Sequence, residues 1–175
     1  MLIYLIGYSY SGKSTMGKRL AELLGYDFFD TDEAIEQKYH VYIPVFFKRY
    51  GEQAFRIIES QILESTADMR NTVVATGGGA SCSEKNIHFI TEHGLAVYLQ
   101  MTVDDIMERI AHARRSRPSL SGMNTEEKKE YISEKMDERL QYYSQAPIVV
   151  PALHTTAEIL KQAIEDYTSR HGFQL

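Results

Sequence analysis

The chain has 175 residues, of which 43% are hydrophobic and 25% are charged, and its formal net charge is −5. This length supports one well-packed core and is too short for two ordinary domains, so we expect a single domain over residues 1–175. The acidic balance argues against a nucleic-acid partner, which would require a surplus of basic residues. The lone cysteine, Cys82, excludes an internal disulfide and favours a reducing, cytoplasmic setting, and no apolar run approaches the length of a membrane span.

Short apolar runs alternate along the chain with segments of helical period. Amphipathic helices are predicted around residues 16–24 and 132–143, where apolar side chains recur at helical spacing. Three further helices are predicted to begin at a polar N-cap with an acid three residues later, at Thr102, Asn124 and Thr155. Strands are predicted at Leu2–Ile6, Phe28–Phe29, Val73–Ala75, Ala96–Leu99 and Ile148–Val150. This alternation predicts an α/β fold: a mainly parallel sheet covered by helices on both faces, with ligands beyond the carboxyl ends of the strands.

A glycine-rich loop follows the first predicted strand directly. Gly7 is followed by four residues and then by Gly12, Lys13 and Ser14, which is the P-loop spacing between a strand and a helix. The backbone N–H groups of such a loop converge on phosphate oxygens, the lysine reaches the β- and γ-phosphates, and the serine contacts Mg²⁺. The alternative, a plain glycine turn, is disfavoured by the flanking strand and helix. Nucleotide contacts are therefore predicted for Gly7, Ser9, Ser11, Gly12, Lys13, Ser14 and Thr15.

Two aspartates stand at the end of the second predicted strand. A P-loop protein normally holds its metal with an aspartate at the end of another strand, and only this strand offers one, so Asp30 is predicted to support Mg²⁺ together with Ser14. We expect this segment to be extended, with Asp30 facing the nucleotide metal and Asp32 facing the acceptor. A second interpretation, compatible with the first, is that Asp32 caps a helix starting at Glu33.

Two segments in the middle of the chain suit the binding of a small acceptor. Arg56 and Glu59 lie three residues apart on a predicted helix, although this spacing also fits an ordinary surface ion pair. Gly77, Gly78 and Gly79 follow the third strand, where a run without side chains lets the backbone approach a ligand. A flexible turn is the alternative for the glycines, but their place at the ligand-facing end of a strand favours a function.

Arginines also occur later in the chain. Arg139 lies four residues before Tyr143 on a predicted helix, and Arg117 lies within the polar segment 114–125, which we interpret as a mobile lid. Each arginine alone is as compatible with a solvated surface charge as with a ligand contact. Taken together, arginines for a carboxylate, an aspartate for hydroxyls and glycine N–H groups suit a small polyhydroxylated acid.

These segments together resemble the shikimate kinases, small members of the nucleoside-monophosphate-kinase-like P-loop group, over essentially the whole chain. The resemblance implies a three-layer P-loop kinase fold with a parallel five-stranded sheet, an acceptor-binding helical segment at about residues 31–62 and a lid at about residues 112–125. It implies transfer of the γ-phosphoryl group of ATP to the 3-hydroxyl of shikimate, a step towards chorismate and the aromatic amino acids. The motifs that carry it are GYSYSGKST, DTD at Asp30, YGEQAFRIIE at Tyr50, TGGG at Thr76, RP at Arg117 and ERLQYY around Arg139.

The resemblance also implies roles for individual residues. The catalytic residues would be Lys13, Asp32 and Arg117, with Asp32 either accepting the hydroxyl proton or only positioning the hydroxyl. ATP would also be contacted by Arg117 from the lid and by an arginine against adenine, for which we choose Arg109, although Ile110 is equally near by counting. The shikimate-binding set would be Asp32, Phe47, Phe55, Arg56, Glu59, Gly77, Gly78, Gly79 and Arg139.

The chain departs from the family pattern at several positions. Tyr10 replaces a third glycine of the P-loop, where it would narrow the nucleotide entrance or demand different backbone angles, because bulky residues avoid positive φ. Leu140 and Gln141 stand where a proline usually follows the acceptor arginine, and the lid reads RPSL. Two rival functions stay open: another small-molecule kinase such as a gluconate kinase, and a nucleotide-binding module without turnover. The resemblance further implies a monomer.

Overall fold

The structure, a computed structural model, describes residues 1–113 and 120–172. Five strands form one parallel sheet in the order β2-β3-β1-β4-β5. This confirms the predicted α/β fold and the parallel five-stranded sheet. The strands span Leu2–Ile6 (β1), Asp27–Asp30 (β2), Thr72–Ala75 (β3), Leu95–Gln100 (β4) and Ile148–Pro151 (β5).

Helices connect the strands and cover both faces of the sheet. The third helix runs through a break at Gly51, where φ is 79° and ψ is 174°. None of the helices within the described residues is long and apolar enough to cross a membrane. The helices span Lys13–Leu24 (α1), Thr31–Tyr39 (α2), Ile43–Glu64 (α3), Glu84–His93 (α4), Val103–Ala111 (α5), Thr125–Tyr143 (α6) and Ala157–His171 (α7).

The central strand β1 shows how the layers are built. All five of its residues are buried, and successive side chains point to opposite faces. Ile3 and Leu5 pack with one cluster that includes residues of α1, α5 and α7, whereas Tyr4 packs with a second cluster that includes residues of α3 and α4. A third, smaller cluster, built around Ile35 and Phe55, holds α2 against α3.

The strand order brings three loops to one edge of the sheet. Because β3 lies between β1 and β2, the loop after β1, the end of β2 at Asp30 and the glycines after β3 are neighbours. The register places Ala75 of β3 beside Leu5 on one side and beside Asp30 on the other. The segments predicted to bind phosphate, metal and acceptor therefore meet at the carboxyl edge of the sheet, as expected for an open α/β fold.

Two of the three predicted helix starts are confirmed and one is wrong. Thr102 and Asn124 each form a reciprocal capping box with the acid three residues later. The seventh helix is instead capped by Thr156, whose side chain accepts a hydrogen bond from the backbone N–H of Ile159. The hydroxyl of Thr155 lies before the helix and donates back to the carbonyl of Pro151 at 2.8 Å.

Candidate active site

The P-loop turns tightly around the ammonium group of its lysine. Lys13 is buried, and its Nζ donates to the carbonyl oxygens of Gly7 at 2.9 Å and Tyr8 at 2.8 Å. Gly12 takes a left-handed conformation, with φ at 86°, immediately before α1 begins. The loop therefore carries a buried cation at the amino end of a helix, which is an arrangement suited to phosphate. The cleft over this loop, here called the phosphate cleft, is lined among others by Gly12, Lys13, Ser14, Thr15, Asp30 and Thr76.

Tyr10 keeps a glycine-like backbone in this loop. Its φ is 71°, so the expectation that a bulky residue would demand different backbone angles is wrong. The carbonyl oxygen of Tyr10 accepts a hydrogen bond from Arg109 Nη1 at 2.5 Å, and its ring is partly buried against the core. These contacts hold the residue in a region that costs a side-chain-bearing residue about 1–2 kcal/mol. The loop thus retains its turn without the third glycine.

Asp30 joins the P-loop to the start of α2. Its Oδ2 accepts a hydrogen bond from Ser14 Oγ at 2.5 Å, and its Oδ1 accepts from the backbone N–H groups of Asp32 and Glu33. Asp30 is therefore the N-cap of α2, and the interpretation that Asp32 caps a helix beginning at Glu33 is wrong. Asp32 lies in the first helical turn and not in an extended segment, because the chain enters α2 directly after β2.

The oxygen pair of Ser14 and Asp30 fits the chemistry of Mg²⁺. This ion takes one or two protein oxygens and completes its shell with phosphate and water oxygens. Within the described parts of the chain there is no cluster of three or more His, Cys, Asp or Glu side chains that would form an all-protein metal site. A metal held here would therefore depend on a bound phosphate.

A second cleft opens beside the P-loop and contains both acceptor arginines. We call it the arginine cleft; its lining includes Asp32, Phe47, Phe55, Arg56, Gly79 and Arg139. The Phe47 and Phe55 rings lie 4.5 Å apart between centroids, tilted by 37°, and form an apolar wall. A wall of rings opposite charged groups suits a ligand with a carbon ring and a charged substituent.

Arg56 is held by two carboxylates of very different exposure. Its Nη1 donates to Glu59 Oε2 at 2.6 Å, and its Nε and Nη2 donate to Glu52 Oε1 at 3.2 and 2.8 Å. The Glu59 side chain is only 2% exposed, whereas that of Glu52 is 63% exposed. Burial raises the pKa of Glu59, and the Arg56 guanidinium opposes this rise. The predicted Arg56–Glu59 pair is thus formed, and it is more than a surface ion pair.

The three glycines after β3 lie where side chains would clash with the site. A Cβ atom on Gly79 would lie 2.5 Å from Arg56 Nη1, and one on Gly78 would lie 2.7 Å from the backbone nitrogen of Ser9. Gly77 donates its N–H to Thr31 Oγ1 at 2.9 Å, which ties the run to α2. The backbone of the three glycines therefore packs directly against the P-loop and Arg56. This packing excludes the alternative that the glycines form a flexible turn.

Arg139 approaches the same glycines from α6. Its Nη1 donates to the carbonyl oxygen of Gly78 at 3.1 Å, and its guanidinium lies over the ring of Tyr8, 5.0 Å from the centroid. Tyr143, one turn further along α6, donates its hydroxyl to the same Gly78 oxygen at 2.7 Å. Arg139 is therefore fixed in the cleft and is not a solvated surface charge.

The two clefts share part of their lining. Ser9, Tyr10, Asp32 and Gly78 line both the phosphate cleft and the arginine cleft. A phosphate bound over the P-loop and an acceptor bound between the arginines would therefore meet at these residues, with the Asp32 carboxylate between them. This geometry suits the transfer of a phosphoryl group from one ligand to the other.

Two predicted nucleotide contacts lie outside the P-loop, at Arg109 and Arg117, and the structure describes only Arg109. Arg109 reaches the P-loop through its bond to the Tyr10 carbonyl, while Ile110 packs against the hydrophobic core. This arrangement favours Arg109 over Ile110 as the residue beside a bound nucleotide. Arg117 and most of the predicted lid, at residues 114–119, lie outside the described residues.

Comparisons with known proteins decide the family. The family model described as Shikimate kinase (SKI) matches residues 10–168. The chain belongs to the shikimate kinase family. It is 37% identical over 150 residues to the shikimate kinase of Parabacteroides distasonis, covering 86% of this chain and 87% of that relative. It is 39% identical over 173 residues to the shikimate kinase of Chlorobium luteolum, covering 94% and 85%.

Solved shikimate kinase structures agree with this assignment. The shikimate kinase from Bacteroides thetaiotaomicron superposes with a TM-score of 0.87 at 32% identity, covering 97% of this chain and 98% of that one. The shikimate kinase from Acinetobacter baumannii, solved in complex with shikimate, gives 0.84 at 33% identity, covering 99% and 95%. A gluconokinase from Sinorhizobium meliloti reaches only 0.56 at 20% identity and shows a shared fold alone. The chain is thus an ATP-dependent phosphotransferase of the shikimate kinase family, and the two rival functions fall away.

Sequence reasoning missed several residues of the site in this shikimate kinase family member. Tyr8, Ile43, Leu120 and Tyr131 also line the arginine cleft. Tyr8 stands next to Gly7 inside the P-loop, and Tyr131 faces the cleft from two turns before Arg139 on α6. Their positions near the P-loop and Arg139 were the only sign in the sequence that they line the cleft. This sign is weak, because apolar or aromatic side chains at such positions are usually core residues.

Proposed function

We propose that this chain transfers the γ-phosphoryl group of ATP to the 3-hydroxyl of shikimate, with Mg²⁺, through the residues that line the two clefts. The observation that supports this most strongly is the shared boundary at Ser9, Tyr10, Asp32 and Gly78. A donor phosphate and an acceptor hydroxyl can meet there without crossing protein. Positioning the reactants in this way supplies a large part of the catalysis expected for phosphoryl transfer.

In the arginine cleft, Arg56 and Arg139 bind the carboxylate of shikimate. Both guanidinium groups are anchored by other protein groups, Arg56 by Glu59 and Arg139 by the Gly78 carbonyl, so little conformational entropy is lost when the ligand binds. Phe47 and Phe55 cover the carbocyclic ring of the ligand. The backbone N–H groups of Gly78 and Gly79 and the carboxylate of Asp32 form hydrogen bonds with its hydroxyl groups, whereas the N–H of Gly77 is already bound to Thr31 Oγ1, so Gly77 contributes only by its lack of a side chain.

In the phosphate cleft, Lys13 and the backbone of residues 7–15 bind the phosphates of ATP. Lys13 Nζ donates to the carbonyl oxygens of Gly7 and Tyr8, which keeps the ammonium group inside the loop that would surround the phosphates. Ser14 and Asp30 hold Mg²⁺, which neutralises charge on the phosphate oxygens when bound. Arg109 lies beside the adenine, and Arg117, assigned on family resemblance alone, adds positive charge from the lid.

Asp32 binds and orients the acceptor hydroxyl. In a loose phosphoryl-transfer transition state the hydroxyl proton leaves late, so strong base catalysis is not required. The substitution Asp32→Asn keeps the shape of the side chain and removes its basicity. We expect a raised KM for shikimate with kcat changed by less than about ten-fold, whereas a fall in kcat of about 10²–10⁴-fold would make Asp32 a general base.

The decisive experiment compares acceptors. ADP release is measured with ATP, Mg²⁺ and, in turn, shikimate, quinate, gluconate and nucleoside monophosphates, with Lys13→Met as the control for contaminating kinases. A kcat/KM that is highest for shikimate, and lost in Lys13→Met, supports the proposed site. Turnover of a different acceptor would overturn the roles of Arg56 and Arg139, and turnover that survives in Lys13→Met would show that another protein caused it.

We further propose a monomeric protein that works in the cytoplasm. The lone cysteine and the aromatic amino acid pathway support this setting, and sedimentation at micromolar concentration measures the oligomeric state. A dimer at that concentration would contradict the proposal.

A further inference from the structure

The carbonyl oxygen of Gly78 is the meeting point of two elements that are distant in sequence. It accepts hydrogen bonds from Tyr143 at 2.7 Å and from Arg139 at 3.1 Å, and these donors lie 65 and 61 residues further along the chain. Both donors are on α6, one helical turn apart. The contact therefore ties the end of α6 to the glycine run after β3.

Tyr143 is held rigidly in this contact. Its side chain is 1% exposed, and its ring stacks on Tyr98 of β4 with centroids 4.9 Å apart and planes 21° apart. Burial raises the pKa of Tyr143 well above its usual value, so its hydroxyl remains protonated and donates to Gly78. A phenol fixed by ring packing on a strand of the sheet gives its hydroxyl a single position.

The bond to Gly78 also orients the next N–H group. The Gly78 carbonyl and the Gly79 N–H belong to one planar trans peptide, so they point in opposite directions. Holding the carbonyl on α6 directs the Gly79 N–H away from α6. On its other side Gly78 lies so close to the P-loop that a Cβ atom would be 2.7 Å from Ser9 N, and the peptide cannot turn freely.

The hydroxyl of Tyr143 shares with Arg139 the task of hydrogen-bonding the Gly78 carbonyl oxygen. With Tyr143 present, the Gly78 oxygen accepts hydrogen bonds from two donors. The Arg139 guanidinium uses one N–H group for this bond and lies over the Tyr8 ring. Without the hydroxyl, the buried carbonyl would depend on Arg139 alone, because a buried acceptor needs a partner. The arginine would then be held by this carbonyl in competition with a ligand carboxylate.

We infer that Tyr143 is a positioning residue for the acceptor: its hydroxyl sets the Gly78–Gly79 peptide and leaves the Arg139 guanidinium free to bind a carboxylate. This inference rests on the proposed role of Arg139. It concerns a residue that lies behind the cleft and does not touch the ligand, so its effect should appear in acceptor binding and not in ATP binding.

The test uses Tyr143→Phe with Tyr4→Phe as a matched control. Tyr4 is also fully buried, belongs to the same hydrophobic cluster, and makes one hydroxyl bond, to Thr66 Oγ1 at 2.7 Å, away from the two clefts. Both variants lose a single buried oxygen and should lose similar stability. Thermal unfolding midpoints set an assay temperature at which each variant is folded, and kcat and the KM values for shikimate and ATP are then measured.

We expect Tyr143→Phe to raise the KM for shikimate about five- to ten-fold, the effect of one lost neutral hydrogen bond, with kcat and the KM for ATP within about two-fold of wild type. Tyr4→Phe should leave all three constants unchanged. An unchanged KM for shikimate in Tyr143→Phe, or the same change in both variants, would overturn the inference. Arg139→Ala separates it from the proposed function: if that variant binds shikimate normally, the role of Arg139 itself is wrong.

Discussion

The Arg56 guanidinium offers a sharp test, because it is bound by one buried and one exposed glutamate. Glu59→Gln and Glu52→Gln each replace a carboxylate by an amide of the same shape, and both residues contact the same arginine. A hydrogen bond to a charged group contributes about 1.5–3 kcal/mol where it is buried. An exposed ion pair contributes only about 0.2–1 kcal/mol, because solvent screens it.

These values predict unequal effects of the two substitutions. The Arg56 side chain is 34% exposed, so the lower end of the buried range applies to its bond with Glu59. A loss of about 1.5 kcal/mol corresponds to roughly a ten-fold rise in the KM for shikimate in Glu59→Gln. Glu52→Gln should change it less than about three-fold, and neither substitution should alter the KM for ATP. Equal effects, or a larger effect for Glu52→Gln, would refute the assignment of Glu59 as the group that orients Arg56.

The pKa of Glu59 adds a pH dependence with a definite sign. Burial raises this pKa, although Arg56 opposes the rise, so on acidification the carboxyl is protonated earlier than an exposed glutamate. Protonation weakens its hold on Arg56, and the KM of wild type for shikimate should rise in mildly acid solution while that of Glu59→Gln stays flat. The folded state binds this proton more tightly than the unfolded state, so stability relative to Glu59→Gln should increase as pH falls through the raised pKa. A parallel pH dependence in both proteins would contradict this account.

Two further predictions concern Tyr10 and Cys82. Because Tyr10 has a φ of 71°, Tyr10→Gly should be more stable to urea than Tyr10→Ala by about 1 kcal/mol, the reverse of the usual order, and a more stable alanine variant would contradict the strained backbone. Burial raises the pKa of the Cys82 thiol, so iodoacetamide should modify it more slowly in the folded protein than in urea at pH 7.5, as measured by mass spectrometry. Equal rates would mean that the thiol is accessible.

Patterns of neighbouring residues in the sequence were sufficient to predict much of the fold and of the site. The P-loop, the alternation of strands and helices, and the caps at Thr102 and Asn124 depend on residues within a few positions of each other, so their spacing alone identifies them. The Arg56–Glu59 pair was predictable in the same way, because residues three apart on a helix are neighbours. The family motifs then supplied the acceptor and the direction of phosphoryl transfer.

Packing between distant segments decided the rest. The burial of Glu59, the cap formed by Asp30 and not by Asp32, and the positive φ of Tyr10 each depend on neighbours that only the folded chain brings together. The contact of Tyr143 with Gly78 joins residues 65 apart, and the spacing of Tyr143 from Arg139 on one helix does not reveal that both side chains bind the same carbonyl. Spacing along the chain specifies which groups share a helix face or a turn. The strand order of the sheet determines which of those groups meet.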